Sequence, residues 1–84
     1  VALCQIAILY PQRSLRVRGA VIRREDLDPL LHLADELATP DGQRVRIVYG
    51  CDCSELLVTL GETALQQLLA EADRAYDRAM GSTA

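Results

Sequence analysis

Apolar and polar positions alternate along this chain in two different periods, and the switches between them mark out six elements. Residues Ala2 to Tyr10 form a nearly continuous apolar run rich in Ile and Leu, and Pro11-Gln12-Arg13-Ser14 interrupts it; the pair reads as a buried strand and a turn. In "SLRVRGAVIR", Leu15, Val17 and Val21 share one parity, while Arg16, Arg18, Ala20 and Ile22 share the other. That is the alternation of a second strand, with Gly19 as a candidate bulge.

The period then changes. Leu27, Leu30, Leu31, Ala34 and Leu37 recur at helical spacing. Asp26 or Asp28 is placed to cap the helix start, where Pro29 is tolerated because first-turn amides have no helical acceptor. Thr39-Pro40-Asp41-Gly42 ends the helix. "QRVRIVY" alternates again, with Val45, Ile47 and Tyr49 on one side and Arg44, Arg46 and Val48 on the other. After Gly50 to Ser54, a fourth strand sets Leu56, Val58 and Leu60 against Leu57 and Thr59. Gly61 or Thr59, with Thr59-x-x-Glu62 at capping-box spacing, opens a last helix that carries Leu65, Leu68, Leu69, Ala72, Tyr76 and Ala79 on one stripe and runs to about Met80.

The order strand, strand, helix, strand, strand, helix predicts one α+β domain over 1–80. It is a two-layer sandwich: a four-stranded antiparallel sheet with two helices on one face, in ββαββα order with a pseudo-twofold repeat. The half-repeats span about 2–39 and 43–80, and 81–84 is a frayed tail. Leu27, Leu30, Leu31, Ala34 and Asp35 match Leu65, Leu68, Leu69, Ala72 and Asp73 at an offset of 38, and Ile8-x-Tyr10 matches Ile47-x-Tyr49 at 39. The pattern leaves open which strands join the two hairpins.

If the helices cover Ile6, Ile8, Tyr10, Leu15, Val17, Val45, Ile47, Tyr49, Leu56 and Val58, parity assigns the open face to Ala7, Leu9, Arg16, Arg18, Ala20, Ile22, Arg44, Arg46, Val48, Leu57 and Thr59. A free sheet face ordinarily alternates to mostly polar residues. This one is aliphatic and arginine, without balancing acids apart from Glu55, a composition that suits an interface. Leu9, Arg16, Arg18, Ile22, Arg44, Arg46, Val48 and Leu57 are the candidate interaction residues. The reading is a small protein-interaction or regulatory module, homodimeric through this face or bound to an acidic protein. The alternative is a nucleic-acid binder that holds phosphates with Arg16, Arg18, Arg44 and Arg46.

Composition narrows these readings. The 84 residues carry a formal charge of −3, and all nine basic residues are arginine. The acidic balance disfavours nonspecific coating of nucleic acid, although five arginines and no acid lie between Gln12 and Arg24. No run is long and apolar enough to span a bilayer, so no membrane partner is expected. Three cysteines, an odd number, suit a reducing cytoplasm better than an exported disulfide scaffold. Cys51-Asp52-Cys53 is a possible thiol site, for redox or metal chemistry. A structural zinc site needs four ligands, and only Cys4 and His32 remain to complete one, so neither metal nor cofactor is expected. No nucleophile-base pair or phosphate-binding glycine motif appears, so no catalytic residue is assigned and the chain is not expected to be an enzyme.

Overall fold

The computed structural model describes the backbone of residues 2–12 and 14–81, and the side chains of those residues other than 12 and 14–18. Its elements are β1 (Leu3–Gln12), β2 (Ser14–Arg23), α1 (Arg24–Leu37), β3 (Gln43–Tyr49), β4 (Ser54–Leu60) and α2 (Glu62–Ala79). The four strands form one antiparallel sheet in the order β2-β1-β3-β4, so the two hairpins meet through their first strands. This symmetric order is consistent with a repeated ββα unit.

The core explains why these elements hold together. Cys4, Ile6, Ile8, Ile22, Val45, Ile47 and Leu60 from the sheet join Leu30, Ala34, Leu65, Leu68, Leu69, Ala72 and Ala75 from the helices in one buried cluster. Without Phe or Trp, the core is aliphatic. The Cα radius of gyration is 12.4 Å, close to the ~12 Å expected of one compact body of this length. α2 packs mainly across β2, and α1 lies between α2 and β4. Each helix therefore reaches a strand of the other hairpin.

The register of β2 differs from the expected one, with large consequences. Pro11 and Gln12 continue β1, and the pairing runs unbroken from Leu3↔Arg23 to Gln12↔Ser14, with no bulge at Gly19. The expected turn over Pro11 to Ser14 would have set Tyr10 opposite Leu15; instead Tyr10 pairs with Arg16 and Ile8 with Arg18. A shift of one residue moves every side chain of a strand to the other face. Ile22 is accordingly in the core, fully buried, and Ala20 packs against it. Hydrophobicity did not decide the matter, because both parities of β2 carry aliphatic residues.

The start of α1 also differs. α1 begins at Arg24, directly off β2, with its first amide bonded to the Ala2 carbonyl at 3.0 Å. Asp26 makes no cap; it meets Arg78 of α2 at 3.4 Å and ties the helices together. Pro29 thus lies inside α1, where its missing N–H leaves the Glu25 carbonyl, on the exposed side, to water. Of the two residues offered for the start of α2, Gly61 is the N-cap. Thr59 remains in β4, and its carbonyl accepts the Thr39 amide at 2.9 Å. This contact braces the α1–β3 turn against the end of β4. Gly42 sits in the same contact, where a Cβ would come within 2.2 Å of the Leu60 carbonyl carbon. On α2, Ala75 takes the buried position and Tyr76 is exposed, so Tyr76 is not part of the core stripe.

Candidate functional site

The open face follows from the pairing, because partners across an antiparallel ladder share a face. One row sets Leu9 of β1 beside Arg46 of β3 and Leu57 of β4; the next sets Gly19, Ala7, Val48 and Glu55 in line. Gly19 opposite Ala7 makes the middle of the sheet flat, with nothing within 4 Å of the space over Gly19. Leu9, Pro11, Arg44, Arg46, Leu57 and Thr59 border a shallow cleft of about 510 Å³ toward β4. Leu57 is 74% exposed there, the most exposed large apolar residue among those described.

Charge on this face is more balanced than the sequence pattern implied, because Arg16 and Arg18 occupy register positions of the other parity while Glu55 stays. Glu55 lies diagonally from Arg46 and receives two bonds from it, Nε to Oε1 at 2.5 Å and Nη2 to Oε2 at 3.3 Å. The paired guanidinium holds the Glu55 carboxyl below its ordinary value, chiefly through that hydrogen bond. In return, the carboxylate keeps Arg46 firmly protonated. Both ends are exposed, so the pair adds little stability but fixes where charge sits. Arg44 is exposed beside it with no ion pair among the described residues.

Of the eight expected face residues, Leu9, Arg44, Arg46, Val48 and Leu57 are brought together here. Ile22 is not, being in the core. Arg16 and Arg18 occupy register positions opposite Tyr10 and Ile8, away from Arg44 and Arg46; their side chains lie outside the described residues. The face also includes Leu3, at the same parity of β1 as Ala7 and Leu9, and Pro11 and Val21, which the expected turn had concealed; knowing that β1 continues past Tyr10 would have exposed those two. Tyr10 and Tyr49 pack against the core, so no aromatic ring stands on the described open face.

Cys51 and Cys53 are exposed on the β3–β4 turn, with Gly50 at φ 80° and Cys53 at φ 54°, whereas Cys4 is buried at the start of β1. Burial pushes the Cys4 thiol up, opposed by Arg24 and reinforced by Cys51. His32 is exposed on α1, beside Asp28 and Asp35. Among the described residues, no group of three or more His, Cys, Asp or Glu is placed to share a metal ion, and no helix is long and apolar enough to cross a membrane. No family model, curated protein or solved structure matches the chain.

Proposed function

We propose that this chain is a small protein-interaction module of the reducing cytoplasm, without catalytic chemistry, that forms a homodimer through its open sheet face. The observation that carries this reading is Leu57, largely exposed in a cleft of aliphatic and arginine side chains on a face that none of the described elements covers. Contiguous apolar surface of this kind is what interfaces bury. A twofold dimer needs only one self-complementary patch.

Charge argues for a second copy over an acidic partner. Arg46 already has its acid in Glu55, so like-charged arginines do not confront each other across the axis. Arg44 and, by its register with Leu3, Arg23 are the cations left over, and a second copy can bring its Glu55 carboxylate, shared with its own Arg46, to meet Arg44. An acidic protein would find few unpaired cations on this face. Phosphate binding is disfavoured further, because Arg16 and Arg18 fall in the other parity and no described ring offers a base to stack upon.

Sedimentation equilibrium over a concentration series is the test, run with titration of a labelled single-stranded oligonucleotide at low salt. A monomer–dimer equilibrium that Leu57→Glu abolishes supports the reading. A monomer at every concentration overturns it. Salt-sensitive oligonucleotide binding by that monomer would transfer the face to nucleic acid, and capture by an acidic protein would transfer it to a heterologous partner.

A further inference from the structure

The strand order brings together two cysteines that lie 47 positions apart in the chain. The ladder between β1 and β3 sets Ile6 against Tyr49 and Ala7 against Val48. It continues for one bond beyond the strand, where the Gly50 amide donates to the Gln5 carbonyl at 3.0 Å. Cys4 and Cys51 are the residues next beyond that bond on the two sides, where Gly50, at φ 80°, turns the chain out of the extended ladder. A disulfide between them needs Cα atoms within ~4.4–6.8 Å of each other. A second observation agrees: Cys4 and Cys51 line one crevice at this end of the sheet, together with Leu3, Gln5, Val21 and Gly50.

We propose that Cys4 and Cys51 form an oxidation site, closing a reversible disulfide between the first strand and the β3–β4 turn when the protein meets a peroxide. Cys51 is the exposed thiol and reacts first. Its thiolate sulfur attacks one peroxide oxygen, the O–O bond breaks, and the second oxygen leaves as hydroxide, which takes up the proton that the thiol had released and becomes water, giving a sulfenic acid. The Cys4 sulfur then attacks the Cys51 sulfur, the S–O bond breaks, and the hydroxide leaves with the Cys4 proton as a second water. Two thiols and one hydrogen peroxide thus become one disulfide and two waters. A small-molecule thiol reverses the step by exchange.

Burial suits Cys4 to the resolving role, because its sulfur does not meet the oxidant itself. Cys53 is the competitor. It is only two residues from Cys51 within the turn, and the short ring their bond would close is strained.

The site is independent of the dimer reading, and its test needs no partner. The reduced full chain is treated with stoichiometric hydrogen peroxide, the remaining thiols are alkylated, and a non-reduced tryptic digest is mapped by mass. Cys4 falls in the peptide 1–13, and Cys51 and Cys53 fall together in 47–74. The expected result is a monomer by non-reducing gel that has lost two hydrogens, with 1–13 joined to 47–74 and separated by reductant. Cys53→Ser, at an exposed position, should keep the link, and Cys51→Ser should lose it. A mass loss confined to 47–74, a link between chains, a link that survives Cys51→Ser, or oxidation without any link overturns the proposal.

Discussion

Truncating Ile22 and Val21 separately tests the register of β2, on which the content of both sheet faces depends. Ile22 is fully buried against the core, whereas Val21 faces the open side, half-exposed. Ile22→Ala removes three carbons from a packed site. At ~0.8 kcal/mol per carbon, the transfer loss is about 2.4 kcal/mol, and the cavity left behind brings the total to roughly 2–5 kcal/mol. Val21→Ala removes less, from a site already open to water, and should cost below about 1 kcal/mol. A chain of this length is expected to hold only about 4–13 kcal/mol in all, so the first change is severe and the second is not. Ile22→Val is the gentler companion, at about 1 kcal/mol and a melting temperature lower by roughly 4–8 °C. Urea unfolding followed by circular dichroism gives both differences from one assay. If Val21→Ala costs as much as Ile22→Ala, the pairing is shifted by one residue and the open face described above is the wrong one.

Other expectations follow from single contacts. Leu57→Ser should leave the monomer's stability within about 1 kcal/mol, yet weaken self-association by about 2–4 kcal/mol, since each of two copies loses most of a leucine from the interface; sedimentation should show a dissociation constant roughly 30- to 1,000-fold higher, and an unchanged constant would remove Leu57 from the interface. Gly42→Ala should destabilise the fold by at least ~1–3 kcal/mol, because its Cβ meets the backbone of Leu60 rather than a side chain that could move aside; a neutral result in thermal unfolding would mean the brace is slack. Glu55 should titrate below its ordinary 4.5 in an NMR pH series, and Arg46→Gln should raise that midpoint. Since the folded value is the depressed one, the pair's small contribution is present above the unfolded pKa and fades as pH falls through the folded one; a midpoint that Arg46→Gln leaves unmoved would show that the ion pair does not persist in solution.

What the sequence made legible depended on how many neighbours decide each feature. The strands β3 and β4 were readable because Arg44-Val45-Arg46-Ile47 alternates, both runs are β-branched and apolar, and the turn between them is bounded by Gly50 and Ser54. The helices were readable from stripes such as Leu65, Leu68, Leu69 and Ala72, although the start of α1 was not. Arg24 enters the helix because its amide is held by Ala2, a partner 22 positions away, and no local capping signal records that bond. The parity of β2 escaped for a different reason. Leu15, Val17 and Val21 make as good an apolar set as Ala20 and Ile22, so a single residue of turn length chose between them. The open face was half legible as a result, correct on β1, β3 and β4 and inverted on β2. The nearness of Cys4 to Cys51 was beyond reach, because it follows only once β1 is known to pair with β3.

The crossed placement of the helices has a consequence for how the chain holds itself as one piece. α2 leaves the β4 edge and lies on β2; its 18 residues give about 27 Å of helix, enough to run back over four strands that together span roughly 14 Å. α1 likewise reaches toward β4. Neither hairpin is roofed by its own helix alone, so each ββα half is an unfinished object that the other completes. A chain cut in the turn near Asp41 should yield two fragments that stay unfolded apart and regain structure when mixed, each lending the other its lid.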